Sequence, residues 1–333
     1  MCHLPTYICI LSLISLNLIA CLSEKNEKEP DAPESTVIAQ FDHLISLHPE
    51  SAELYLQRGQ EYFAMSMYVE AIRDLEKAVE LDPMLFETWQ TLADAYLQNI
   101  QSRKAIETLE ESVEIYPDSV HAHLKLAEFQ LILKQYDQAM QSLKRAQELD
   151  PGNADAHFVR GMLLKEVGDT SRAIHQFQLA TRENPQLSDA WINIGQLLEA
   201  AKDPEAIRYF EAGLLVAPTN KVLLRAMAQY LARQGDFMGA KATYRALLAL
   251  DPDDSDAYYD LGLLYMEEDS LRVAHQHFNF AIKTDPQFAR AYFYLGFTKE
   301  QMLDTSEALF YYRQTKKLNP ESRDATEAIA RLE

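Results

Sequence analysis

Three cysteines, nine histidines and scattered carboxylates are the groups in this 333-residue sequence able to act as nucleophiles, ligands or proton carriers. Cys21 stands apart, because it follows the uncharged apolar run Tyr7–Ala20 and its small last residue. The thiolate is the reactive form of cysteine, which makes Cys21 the candidate for covalent modification. Cleavage before Cys21 also removes Cys2 and Cys9, leaving neither a disulfide nor a free thiol for redox work. The pairs His121/His123 and His275/His277 have the look of ligands, but residues two apart on a helix point to nearly opposite sides and cannot chelate together. There is no Gly-rich phosphate loop, no Gly-x-Ser-x-Gly and no His-Glu-x-x-His. The expectation is a protein that is not an enzyme, with no catalytic residue, no cofactor and no metal.

The run Tyr7–Ala20 holds 14 residues, too few to span about 30 Å of hydrocarbon as a helix, and reads as a signal-peptide core over residues 1–20. Leu18-Ile19-Ala20-Cys21 resembles the lipobox of bacterial lipoproteins, which implies acylation of Cys21 (the palmitate-bearing class) and attachment to the cell envelope. The segment ahead of the run has no Lys or Arg, and an ordinary secretory signal giving a secreted or periplasmic product is the alternative. Leu22 and Ser23 follow the cysteine where an Asp would imply inner-membrane retention, so the resemblance implies the outer membrane if the host is Gram-negative. Residues 21–33, with six charges in the twelve residues after Cys21 and two prolines, are expected to be a solvated tether.

Beyond residue 33 the chain is organised by proline. Pro49, Pro83, Pro117, Pro151, Pro185, Pro218, Pro252, Pro286 and Pro320 recur every 34 residues, with one interval of 33. Between them runs a column that is always Ala: Ala71, Ala105, Ala139, Ala173, Ala206, Ala240, Ala274 and Ala308. A second column is never larger than Ala: Gly59, Ala93, Ala127, Gly161, Gly195, Ala228, Gly262 and Gly296. A third holds large residues (Tyr55, Trp89, His123, His157, Trp191, Leu224, Tyr258, Tyr292), and a fourth Leu, Phe or Tyr from Leu75 to Tyr312. These columns resemble the tetratricopeptide repeat. The resemblance implies an all-α fold, a right-handed superhelical solenoid of antiparallel helix pairs. The repeats cover 52–322 (52–85, 86–119, 120–153, 154–187, 188–220, 221–254, 255–288 and 289–322), with capping helices over 34–51 and 323–333. The short interval falls in repeat five, where Asp203-Pro204 reads as a helix cap followed by the first helical residue.

In this family the first helix of each pair lines the concave wall, which makes the residues just after the large and the small columns the candidate partner-binding groove. They include Leu56, Leu124, Phe158, Met162, Ile192, Arg225, Gln229, Tyr259, Leu263, Met266, Phe293 and Phe297, several of them apolar and expected to grip a peptide segment. Phe293 and Phe297 have a second reading, as the seat of the C-terminal cap. Arg225 and Arg233 are expected to pair with Asp256 and Asp260. The carboxylate clamp of chaperone-tail-binding relatives is absent: Asn193 is suitably placed, but its neighbours Phe158, Met162, Val222 and Ala226 are not. A net charge of -20 repels phosphate backbones and excludes nucleic acid as a partner. Of that, -14 lies between Cys21 and Ser119, a surface that selects basic segments or stays off anionic lipid. The function expected is a non-catalytic protein–protein interaction scaffold, a lipid-anchored envelope adaptor holding a segment of one or more envelope proteins. The alternatives are a self-associating structural oligomer, or a non-catalytic subunit of an envelope enzyme complex.

Overall fold

The computed structural model describes residues 36–333, and Cys21, the apolar run and the charged segment that follows lie outside the described residues. Eighteen helices and no strand occur among the described residues. They fall into two compact units, one ending at Asp82 and the other Pro83–Glu333. The first unit contains α1 (Thr36–Leu47), α2 (Ala52–Ala64) and α3 (Tyr68–Leu81). The second begins with α4 (Phe86–Gln98) and α5 (Ser102–Ile115), then α6 (Val120–Ile132), α7 (Tyr136–Leu149), α8 (Ala154–Glu166) and α9 (Thr170–Glu183). It continues with α10 (Ser188–Ala200), α11 (Ala206–Val216), α12 (Lys221–Arg233), α13 (Phe237–Leu250), α14 (Ser255–Glu267) and α15 (Leu271–Thr284). It closes with α16 (Ala289–Gln301), α17 (Thr305–Leu318) and α18 (Arg323–Leu332). None is long and apolar enough to cross a membrane.

The pairs α2/α3 through α16/α17 are repeats of one packing rule. Each small residue of the first helix faces the large residue of the second, and where the small residue is glycine the approach leaves no room for a side chain. A Cβ on Gly161 would sit 2.6 Å from Phe177, one on Gly195 2.5 Å from Phe210, and one on Gly262 2.5 Å from Phe278. All eight alanines of the invariant column are at 0% exposure, sealed inside the pairs. Second helices read as amphipathic because only one stripe of each is covered this way.

Every pair turns through one left-handed residue: Ser66, Ile100, Lys134, Gly168, Lys202, Gly235, Asp269 or Leu303. The amide that follows it donates back five positions up the first helix's end, as in Met67 N to Tyr62 O (2.9 Å) and Gln101 N to Tyr96 O (2.8 Å). This is the Schellman closure, which glycine fits best. Only two of the eight are glycine, and Ile100 and Leu303 are bulky residues 90% and 89% exposed, bought by nothing but the turn they occupy.

The large column contributes a hydrogen bond as well as bulk in four consecutive repeats. Trp89 Nε1 donates to Pro83 O and Trp191 Nε1 to Pro185 O, both at 2.9 Å. His123 Nε2 and His157 Nε2 meet Pro117 O and Pro151 O at 2.9 and 3.0 Å. A carbonyl only accepts, so both imidazoles carry their proton on Nε2. Histidine replaces tryptophan there because it keeps a planar ring with an N–H on the same side.

One local expectation is corrected. The second helix of repeat five starts at Ala206, not Pro204, and has 11 residues where its neighbours have 14. The Ala column fixes the helix register, so the missing residue is taken from the first turn. Asp203 Oδ1 accepts from Glu205 N at 2.9 Å, and the helix gets under way with Ala206 N on Asp203 O at 3.2 Å. In the first unit, Arg58 stands where an apolar residue is usual and makes an ion triad with buried Asp74 and exposed Asp42. Its Nε donates to Asp74 Oδ2 at 2.5 Å and its Nη1 to Asp42 Oδ1 at 2.5 Å, joining α1, α2 and α3. Burial works against the Arg58 charge, but the bonds to Asp74 and Asp42 prevail and hold the guanidinium above its usual range.

Replacing Gly161 by Ala is expected to destabilise the chain by about 1–3 kcal/mol, since a methyl group must displace the Phe177 ring. Replacing Ile100 by Gly is expected to stabilise it by up to about 1 kcal/mol, by relieving a left-handed β-branched residue. Thermal melts of the two variants check the opposite signs.

Candidate functional site

The candidate groove residues divide into two rows, and the structure treats the rows differently. Leu56, Leu124, Phe158, Ile192 and Tyr259, which follow the large column, are buried, which corrects the expectation of an exposed stripe. Their side chains turn onto the large residue of the second helix. Phe158 meets Phe177 with ring centroids 5.6 Å apart, Tyr259 meets Phe278 at 5.7 Å, and Phe293 meets Tyr312 at 5.4 Å. This row is the wedge that fills the pair, and its bulk belongs to the core. Tyr259 is also ringed by Phe288 and Tyr294, and burial raises its hydroxyl above the usual tyrosine range. Phe293 packs with Tyr312, Ala328, Ile329 and Leu332, and so seats α18.

The row after the small column is different. Met162, Gln229, Leu263 and Phe297 are all half-buried, with part of each side chain open to solvent, and so is Met266 further along α14; of the first row's candidates, Arg225 and Phe293 are the two that remain half-buried. The residue beside each is Gly or Ala, too small to lift the helix away from its partner, so the next position is carried to the rim.

Two clefts lie along these helices in the second unit. One, of about 310 Å³, is formed by α12, α13 and α14 and combines the apolar wall of Leu263 and Leu264 with Gln229, Arg233, Tyr244 and Asp260. Tyr244 donates to Asp260 Oδ2 at 2.7 Å. Burial lifts the Asp260 carboxyl above its ordinary range, against the hydrogen bonds from Tyr244 and Gln229. The other cleft, of about 370 Å³, lies where α16, α17 and α18 meet and is lined by Tyr259, Arg290, Phe293, Asn319 and Arg323 among others.

The arginines do not pair as expected. Arg233 makes a two-pronged bond to Glu199 of the preceding first helix, at 2.7 and 2.8 Å, and Arg225 is bonded to Asp254 at the cap of α14. Asp260 is committed to Tyr244, and Asp256 lies 3.6 Å from Arg290. Spacing along one helix does not reveal which neighbour's carboxylate a long side chain reaches.

Sequence reasoning passed over two polar bridges between adjacent first helices. Lys125 reaches Asp94 at 2.9 Å, and Lys165 donates to Asn193 Oδ1 at 2.7 Å. Burial depresses the Lys165 ammonium. Near the first bridge Glu128 is pushed up to about 7 from an ordinary 4.5, by burial above all and by Asp94 and Asp155, with Lys125 opposing. The signal available was the alignment of Asp94 and Glu128 in one column beside a lone lysine.

A carboxyl held above its unfolded value binds its proton more tightly when folded. Its stabilising effect is full below about 4.5 and is lost as pH rises towards 7. Glu128→Gln is therefore expected to raise the melting temperature at pH 8, by the equivalent of about 1–3 kcal/mol, and to leave it nearly unchanged at about pH 4. Melting curves across that range check both the sign and the window.

Comparison with known proteins gives a consistent picture. Tetratricopeptide repeat models match residues 52–85, 101–166, 158–217 with 225–271, and 290–322. No curated protein matches the chain. Among solved structures, the C-terminal part of a TPR repeat-containing protein from Cytophaga hutchinsonii is 18% identical, with a TM-score of 0.57 over 72% of this chain and 99% of that one. The pilF protein of Pseudomonas aeruginosa is 20% identical, with a TM-score of 0.51 over 64% of this chain and 97% of that one. The Cut9–Hcn1 hetero-tetramer of the APC/C gives 15% identity and a TM-score of 0.50 over 90% of this chain, but only 60% of that longer chain. At these identities the likeness concerns the fold. The repeat models together cover well over half of the sequence, and the chain belongs to the tetratricopeptide repeat family.

Proposed function

We propose that the chain is a non-catalytic interaction scaffold, anchored to the cell envelope through an acylated Cys21, that holds a segment of a partner protein against the rim row of its first helices. The tetratricopeptide fold is consistent with a protein–protein interaction scaffold. The observation that carries the reading is the cleft of α12–α14. Half-buried Leu263 offers an apolar wall next to Gln229, Arg233 and Asp260, so an apolar side chain of a partner is gripped while its backbone or a flanking polar group finds hydrogen bonds. Its polar groups are engaged in pairs that hold the walls in place, as a binding surface requires and a proton-transfer centre does not.

The anchor rests on Ala20-Cys21 following the apolar run. Two acyl chains, each adding ~0.8 kcal/mol per buried CH₂, suffice for stable attachment. Outer-membrane delivery, if the host is Gram-negative, follows from Leu22 and Ser23 after the cysteine.

A photoreactive residue at Leu263 in the full chain, in its own cells, is expected to capture one defined segment of an envelope protein. The same residue at the exposed Thr326 of α18 is expected to capture none. Leu263→Gln is expected to weaken that partner at least tenfold, about 1.4 kcal/mol, with helical content unchanged. Equal capture from both sites contradicts the cleft as a docking site. Independently, Cys21→Ser is expected to shift the chain from the membrane to the soluble fraction, and unchanged membrane partition contradicts the anchor.

A further inference from the structure

The first helix of the structure breaks the packing rule that all later second helices obey. Shifted by one 34-residue period, Val37 falls in the register of Ala71, Phe41 in that of Leu75 and Leu44 in that of Ala78. Ala71, Leu75 and Ala78 face the first helix of their own pair, and all three are at 0% exposure. No first helix precedes α1 among the described residues, and Val37, Leu44 and Leu47 are 39%, 40% and 59% exposed. The opposite side is closed, with Ile38 and Ile45 buried and Asp42 bonded to Arg58 of α2.

From this we infer that the open face of α1 is a self-association surface, covered by the same face of α1 from a second copy of the chain. Size argues against an ordinary first helix as the occupant. The eight true second helices all place Ala where α1 has Val37, and mostly Ala, Ser or Gly where α1 has Leu44, because their partner approaches to within a missing side chain. Val37 and Leu44 hold any neighbour further off, at the spacing of an ordinary apolar helix pair. With the apolar run Tyr7–Ala20 removed, as the proposed function has it, residues 22–33, with six charges and two prolines, offer no apolar stripe to fill the gap.

Charge narrows the choice. Asp42 is the one carboxylate on α1 and is turned to Arg58 of α2, so the stripe itself carries no charge in the part of the chain that carries -14. An anionic lipid surface is repelled by that setting, and a basic segment finds no carboxylate on the stripe. An identical α1 is neutral, apolar and self-complementary: run antiparallel about a two-fold axis, Val37 of one copy lies opposite Leu47 of the other, and Phe41 opposite Leu44.

Anchoring reinforces the pairing, and this part of the argument rests on the proposed acylation of Cys21. Fourteen residues separate Cys21 from Thr36, a reach of roughly 50 Å, so anchored copies present α1 at similar height and raised effective concentration. One helix pair is a small interface, and micromolar affinity is expected.

Sedimentation of the purified full chain in the detergent that extracts it tests the inference. Wild type is expected to pass from monomer to dimer over the micromolar range. Leu44→Glu is expected to weaken the dimer at least tenfold, and Met238→Glu, at an exposed apolar site on α13, to leave it unchanged. Should Leu44→Glu alter helical content, a Val37→Cys, Leu47→Cys chain on a Cys2→Ser, Cys9→Ser background replaces it, expected to form an intermolecular disulfide. A wild type that stays monomeric, a dimer indifferent to Leu44→Glu or the absence of that disulfide overturns the inference. Capture at Leu263 by a monomeric chain refutes this proposal alone, and a dimer without such capture refutes the scaffold reading alone.

Discussion

The structure depends on one steric constraint, the contact between a glycine or alanine and a large ring or leucine across each helix pair. Where Gly161, Gly195 and Gly262 meet Phe177, Phe210 and Phe278, the two backbones approach to a distance that any Cβ would forbid. The alanine column is sealed by the same approach, and the wedge row of Leu124, Phe158, Ile192 and Tyr259 is drawn in to fill the space beside the ring. The neighbouring row, one position past the small residue, is carried to the rim. Function is thus written on the positions that the packing leaves over.

Charge plays a related part. Within the second unit, Lys125 to Asp94, Lys165 to Asn193, Arg233 to Glu199 and Arg225 to Asp254 are bonds from one first helix to the next or to its cap. These side chains, which on a helical wheel resemble free groove cations, are spent in aligning consecutive repeats. Partly buried pairs of this kind contribute more to register than to stability, because desolvation offsets most of their attraction. What remains for a partner in the α12–α14 cleft is an apolar wall beside polar groups that are already oriented.

The period, the helix pairs and the small, alanine and large columns were legible in the sequence, because each is a requirement imposed on every repeat at one position. The direction of the wedge row was not. Phe158 and Tyr259 stand among apolar and polar residues alike, and only the ring they lean on shows that they are core. The partners of Arg233 and Arg225 depend on which neighbouring helix comes within reach. The late start of α11 depends on the Ala column outranking the Asp203-Pro204 cap signal. The hydrogen bond that suits His123 and His157 to a tryptophan position needed the proline carbonyl in place. The open face of α1 emerged only from comparing exposure at equivalent positions.

The central claim is that the rim row is open and the wedge row closed. Carbene footprinting of the full chain, read residue by residue, tests it without a known partner. The account predicts labelling at Met162, Leu263 and Phe297 and protection at Phe158, Ile192 and Tyr259. Labelling of the second set at the level of the first would contradict it, and would return the groove to the row that packing is here argued to have claimed.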